Sequence, residues 1–248
     1  MVDVKGKWAL VTGANRGVGY RISKFMASRG CNLILHSRSL EHTKGILEEV
    51  RAIGVEAYDI AAELSNPNEV EKMIKEIKEK GKPVDILFND AAVQIAYRND
   101  YYKTPVEDYS VSFMINTIAP MMLCYAFIPP MIERGWGRVI NTTSGIRNEP
   151  EQAGYSASKA ALDKVTCDLA GKLDGSDVCI NLTDPGWCRT DLGGPHAPND
   201  PDSVIPGICV GAFIDDKKSG RNFTAQSFAG MTLEEAVLKA TEFKQLFL

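Results

Sequence analysis

The stretch AGYSASKAALDKVT (residues 153–166) sets Tyr155 and Lys159 four positions apart. In a helix, positions i and i+4 share one face. The spacing therefore aims a phenol and an ammonium in the same direction. A phenol, with a pKa of about 10, is a poor base at neutral pH, and a neighbouring cation favours its anion. Proton transfer is the chemistry such a pair suits. The same spacing also fits a surface tyrosine lying over a lysine stem, so the pair needs support from elsewhere in the chain.

The segment TGANRGVG (12–19) supplies it. It follows the first apolar run and opens the first helical pattern, with glycines at Gly13, Gly17 and Gly19. Glycines here permit a tight turn, let the backbone approach a pyrophosphate, and let helix pack close to strand. No Gly-Lys-Ser/Thr follows, which excludes a P-loop. An NAD site places an acid about 20 residues further on, against the ribose 2′-hydroxyl. Here that region reads HSRS, with Ser37 and Arg38 in place of a carboxylate. Two guanidiniums, Arg16 and Arg38, suit the bidentate, charge-assisted contacts of a 2′-phosphate. The expected cofactor is NADP(H).

Such a site needs a scaffold of alternating strands and helices. Short apolar runs at 8–12, 32–36, 55–62, 85–89, 138–144 and 178–184 read as strands. Helical patterns lie near 18–29, 40–53, 67–80, 105–134 and 155–173. Asn66, Pro67 and Glu69 mark one helix start, and Thr232 with Glu235 forms a capping-box pattern at another. Continuous apolar strands separated by helices predict a doubly wound α/β fold, a Rossmann-type parallel sheet covered on both faces. Ligands in such sheets sit at the carboxyl ends of the strands. No composition break divides the 248 residues, so one domain over 1–248 is expected.

Composition narrows the function classes. With 44% hydrophobic and 24% charged residues the chain reads as soluble and globular. A net charge of −4 argues against nucleic-acid binding. Six dispersed cysteines, with no CxxC pair, read as reduced thiols. The three histidines form no metal-ligand spacing. No secretory leader is visible, and the most apolar segment is broken by Asn116, Pro120 and Pro129–Pro130, which argues against a membrane span. A cytoplasmic location is expected.

Together these motifs resemble the short-chain dehydrogenase/reductase family in its compact single-domain form. Besides TGANRGVG and YSASK, the resemblance rests on FNDAA (88–92), MINTIAP (114–120), VINTTSG (139–145) and DPGWCRTDLGG (184–194). It implies that Tyr155 donates a proton to a carbonyl being reduced, or accepts one from an alcohol. Lys159 would lower the phenol's pKa and bind the nicotinamide ribose, for which small Ser156, Ala157 and Ser158 leave room. Ser144 would bond the carbonyl oxygen, and Asn116 would hold a water that relays protons to Lys159. Gly13, Asn15, Arg16 and Val18 would meet the phosphates and adenosine. Glu63 and Leu64 would hold the adenine, Asn89 and Ala91 its ribose side, and Pro185, Gly186, Cys188 and Thr190 the nicotinamide end.

The sequence departs from the family pattern at Asp90 and Ala92, at Glu63, and in a C-terminus reading FAGM where Asp-Gly-Gly is usual. Asp90 is expected to cap a backbone amide where an asparagine normally does. The Gly- and Pro-rich segment at about 187–207 reads as a substrate lid, and its DLGGPHAP is similar to carbonyl-reductase-like members acting on ketones and aldehydes. The resemblance further implies a homodimer or homotetramer. The expected function is an NADPH-dependent carbonyl reductase or alcohol dehydrogenase. Reductases of 3-oxoacyl thioesters, sugars or steroids remain open within the family. A regulator that senses NADP without turnover is the alternative of another class, although such proteins tend to lose the tyrosine or lysine.

Overall fold

The structure, a computed structural model, describes residues 1–246. Seven strands form one all-parallel sheet: β1 (Trp8–Val11), β2 (Asn32–Ser37), β3 (Ala57–Ala61), β4 (Ile86–Asn89), β5 (Gly137–Thr142), β6 (Val178–Asp184) and β7 (Asn222–Thr224). Their order is β3-β2-β1-β4-β5-β6-β7. This is the doubly wound Rossmann-type arrangement expected from the alternating pattern. The chain reverses its direction of travel across the sheet between β1 and β4, which opens a crevice at their carboxyl ends. Strand β7 was not anticipated, because three residues are too few to show a period.

The helices are α1 (Gly17–Ser28), α2 (Leu40–Ile53), α3 (Pro67–Glu79), α4 (Val106–Phe113), α5 (Ala119–Glu133), α6 (Ala153–Leu173) and α7 (Leu233–Ala240). Both expected caps form. Asn66 Oδ1 accepts from the Asn68 amide, with Pro67 in the first turn. Thr232 and Glu235 close a reciprocal capping box.

The single helix expected over 105–134 is three pieces. A π turn at Met114–Ile118 joins α4 to α5. The side chain of Asn116 accounts for the widening. It accepts from the Val93 amide and donates to the Val93 carbonyl, both at 2.9 Å, tying this turn to the loop after β4.

Two apolar clusters cover the two faces of the sheet, and β1 shows how the pleat divides them. Ala9 and Val11 face Ile22 and Met26 of α1, Val50 of α2 and Ala236 of α7. Trp8 and Leu10 face Met73 of α3, Phe127 of α5 and Leu162 of α6. The segment Val106–Glu133 is long and apolar enough to cross a membrane by length and composition alone. Its inner face, Leu123, Phe127 and Met131 among others, is instead packed into that second cluster.

Residues 187–207 form a loop closed on itself. Cys188 bridges Asn199, and Arg189 donates to the Pro198 carbonyl at 2.8 Å and pairs with Asp200 at 3.2 Å. All six cysteines are unpaired thiols.

Candidate active site

The crevice between β1 and β4 is built by one hydroxyl and two glycines. Thr12 Oγ1, at the end of β1, accepts from the amides of Asp90 (2.9 Å) and Ala91 (3.0 Å) just past β4. This pins the fourth-strand turn against the glycine loop. Gly13 has φ +70° and lies so close to Ala91 that a Cβ would stand 3.1 Å from its Cα. A Cβ on Gly19 would meet the Gly13 carbonyl oxygen at 2.3 Å, so close packing of loop on helix requires glycine there. Beneath the loop His36 is buried, its Nδ1 receiving the Gly13 amide (3.4 Å) and its Nε2 bonded to the Ala62 carbonyl (3.0 Å). Burial pulls its pKa down to about 4, so the ring is a neutral brace at physiological pH.

The cleft that opens here has a volume of about 1120 Å³. It is lined by Gly13, Asn15, Arg16, Gly17, Val18, Ser37, Arg38, Glu63 and Leu64, and by Ser144, Tyr155, Lys159, Pro185, Gly186, Cys188 and Thr190, with Ala91 also in its wall and Thr190 lying against Gly17. Nearly all the residues singled out from the sequence thus share one cavity. Arg16 is engaged by Asp191 of the 187–207 loop at 2.7 Å, with both side chains largely exposed. Arg38 has no ion-pair partner among the described residues.

Three expected residues stand outside the cleft wall. Gly19 is packed beneath the loop. Asn89, expected at the adenine ribose, turns its side chain the other way and donates to Asn141 Oδ1 at 2.8 Å and toward the Pro120 carbonyl at 3.4 Å. As the last residue of β4, it points into the layer under the sheet and braces β5 and α5. Asn116, expected to hold a water beside Lys159, has its amide committed to Val93 and to Ser158 Oγ (3.0 Å). Its side chain secures α6 against the π turn.

On α6, Tyr155 and Lys159 lie one turn apart, 7% and 2% exposed, so neither is the solvated surface pair that the bare motif allows. The Lys159 ammonium donates to the Thr142 carbonyl at 2.7 Å and sits 6.0 Å from the Tyr155 ring centre. Burial lowers its pKa to about 8, against the attraction of Asp90, Asp163 and Asp184. The phenol departs from expectation. Burial raises its pKa, and Asp184 and Asp90 raise it further, while a hydrogen bond with Ser144 works the other way. In the protein alone burial is the largest influence on the phenol, and the lysine's expected pull is not what sets it.

Thr142 links this pair to Asp90, donating its hydroxyl to Asp90 Oδ1 at 2.9 Å while its carbonyl receives Lys159. The Asp90 carboxylate also faces Gly19, whose backbone draws its pKa down against the effect of burial. Desolvation pushes its pKa up to about 6. Thr12, His36, Thr142, Asp163 and Asp184 were not identified from the sequence. Asp184, directly before Pro185–Gly186 at the end of β6, carried a signal in its position.

The family model described as short chain dehydrogenase matches residues 7–200. The chain belongs to this short-chain dehydrogenase/reductase family. It is 30% identical over 194 residues to a 3-oxoacyl-[acyl-carrier-protein] reductase of Aquifex aeolicus, a match covering 77% of each protein. A short chain dehydrogenase of Pseudocercospora fijiensis is 32% identical over 198 residues, covering 78% of this chain and 63% of that protein's length. Among solved structures, a metagenomic short-chain oxidoreductase in complex with NADP superposes with a TM-score of 0.78 at 27% identity, covering 90% of this chain and 98% of that one.

One prediction concerns Asp90. Asparagine there can still accept from Thr142 and keeps the shape of the side chain beside Gly19, so Asp90→Asn is expected to keep NADPH affinity within about a few-fold. Removing the carboxylate removes an attraction that holds the Lys159 ammonium charged. The basic limb of the kcat/KM–pH profile should therefore move below about pH 8. A pH profile of variant and parent, with cofactor titration by fluorescence, checks both parts.

Proposed function

We propose that the protein is an NADPH-dependent reductase of ketones or aldehydes, working from one catalytic domain with 187–207 as a lid over the cleft. The observation that carries the reading is a buried, proton-bearing Tyr155 beside Ser144, with Lys159 one turn along, in a cleft continuous with the glycine loop. A phenol that keeps its proton at neutral pH is available as the donor to a carbonyl oxygen.

The residues present fit the dinucleotide. Gly13 and Gly17, both at positive φ, shape a phosphate-sized cradle at the N-terminus of α1. Arg38 stands at the end of β2 without an ion-pair partner among the described residues, where a 2′-phosphate needs a cation. When bound, NADPH supplies the hydride to the carbonyl carbon. The chain's own residues do the rest. Ser144 hydrogen-bonds the carbonyl oxygen, Tyr155 delivers its proton to that oxygen, and Lys159 stabilises the phenolate left behind. Asn116 and Asn89 position α6 and β5. The exposed apolar side chains of α4 and α5, among them Val106, Tyr125 and Ile132, are assigned to contact between subunits of a homodimer or homotetramer.

The likeness to 3-oxoacyl-[acyl-carrier-protein] reductases supports a second reading, reduction of a 3-oxoacyl thioester. A carrier protein is usually met by a basic entrance. Here Arg189 of the lid is already paired with Asp200, and Arg16 with Asp191. Small carbonyl compounds therefore remain the better fit.

The test is turnover of NADPH against a panel of ketones, aldehydes, oxidised sugars and 3-oxoacyl thioesters, joined to cofactor titration. NADPH should bind more tightly than NADH by about 1.5–3 kcal/mol, roughly 10- to 100-fold, for one or two charge-assisted contacts. Because Arg16 is engaged by Asp191, Arg38 is the side chain to change, and Arg38→Asp should move the preference toward NADH. Equal affinities for the two cofactors in the parent protein would overturn the arginine assignment.

A further inference from the structure

We infer that Asp184 makes this enzyme selective for carbonyl substrates that carry a protonated amine, the cation being received by its carboxylate and by the rings of Tyr97 and Trp187. The inference rests on the reductase reading above and names the substrate class of the same cleft.

The turn after β6 uses half of Asp184. Its Oδ1 accepts from the Gly186 amide at 2.8 Å, a task that asparagine or serine performs equally well. Its Oδ2 makes no hydrogen bond among the described residues. That oxygen lies against the Ser144–Gly145 turn, 2.8 Å from where a Cβ on Gly145 would stand. Gly145 thus leaves open the space that the carboxylate occupies beside Ser144. Asp184 lines the cleft together with Ser144 and Tyr155. The turn itself has no use for the negative charge.

Nor is the charge neutralised from within. Lys159 is the buried cation nearby, and it already donates to the Thr142 carbonyl while Asp90, Asp163 and Asp184 all draw on it. Three carboxylates to one ammonium leave the reacting end of the cleft anionic. Further out, Glu149 and Arg147 are both exposed and offset each other, and Asp191 is held by Arg16. A substrate with a carboxylate or phosphate near its carbonyl is repelled here, and one with an ammonium is attracted.

The walls of the cleft agree. Tyr97 and Trp187 both line it and are 57% and 59% exposed. The indole N–H of Trp187 is committed to the Gly193 carbonyl at 2.7 Å, which fixes the ring in place. A fixed aromatic face and an unspent carboxylate oxygen in the wall of one cleft are the two elements of a receptor for an alkylammonium group.

The test compares two substrates of the same shape: a methyl ketone bearing a dimethylammonium group two carbons from the carbonyl, and its uncharged isopropyl isostere. The parent enzyme with NADPH should favour the ammonium ketone in kcat/KM by about 10-fold or more, the range of a charge-assisted contact. Asp184→Asn keeps an oxygen for the Gly186 amide and should lower that ratio by about the same factor. Trp187→Leu, which leaves Asp184 in place, should lower it as well and serves if the first variant folds poorly. The parent's preference should also fade as pH rises through the amine's own pKa, which a merely structural role for Asp184 would not produce. Equal reduction of both ketones by the parent overturns the inference and leaves the reductase reading standing. A ratio unchanged in both variants overturns the assignment to these residues. If no ketone in the panel is reduced, the reductase reading has failed and the inference falls with it.

Discussion

Tyr155→Phe is expected to bind NADPH as the parent does and to transfer hydride to a carbonyl substrate about 10²–10⁴-fold more slowly, the usual worth of a positioned proton donor. Hydride arriving at a carbonyl carbon leaves an alkoxide, which is costly in a closed pocket unless a proton meets it. Phenylalanine keeps the ring, which is only 7% exposed and packed on α6, and removes the one group that carries that proton. The fold should therefore be preserved while turnover collapses. Stopped-flow hydride transfer and cofactor titration on the same preparation separate the two effects. Since burial and two carboxylates hold the phenol above its ordinary pKa, the parent's donor stays protonated well past neutrality. The basic limb of its pH profile should follow Lys159 near pH 8 instead. Near-normal hydride transfer in Tyr155→Phe would mean that the shared helix face serves packing, and the reading as an NADP-sensing regulator would gain.

The doubly wound sheet and the cleft were legible in the sequence because each rests on local patterns. Continuous apolar strands alternating with helices specify a parallel sheet, and TGANRGVG and YSASK state where its ligand end lies. What escaped was set by contacts between distant segments. The π turn at Met114–Ile118 depends on Asn116 reaching Val93, 23 residues away, and no periodicity signals it. Asn89 reads as a cofactor ligand from its motif, yet the pleat of β4 turns it to the opposite side of the sheet, toward Asn141. His36 looks like any strand residue until Gly13 and Ala62 are seen to bracket it.

The electrostatics escaped for the same reason. The i, i+4 spacing of Tyr155 and Lys159 suggests a lysine that pulls the phenol's pKa down. Asp90, Asp163 and Asp184 lie on three different segments, at the ends of β4 and β6 and along α6. Burial comes first in holding the phenol up, Asp184 and Asp90 add to it, and all three carboxylates converge on Lys159. A motif names the partners of a proton transfer, and the sign of the field around them is a property of the fold.

That convergence determines what Lys159→Met should do. Turnover is expected to collapse, because the phenolate formed by proton donation loses its counter-charge. NADPH binding should weaken with it, since an ammonium contact is lost. Stability should fall too, and this part has a pH signature. Removing one partner from a buried group of charges costs about 3–5 kcal/mol when the remaining charge is stranded. Asp90 already stands at about 6 with the lysine present, and without it the carboxyl moves higher. Its unfolded-state pKa is about 3.9, so between that value and the raised one the folded variant holds a proton that the unfolded chain has released. Stability in that window is lost as pH rises. Thermal melts of parent and variant from pH 5 to pH 8 should thus show a gap that is small in acid and widens toward neutrality. A gap that stays constant across that range would mean that Asp90 does not feel Lys159, and the field assigned to the cleft would have to be redrawn.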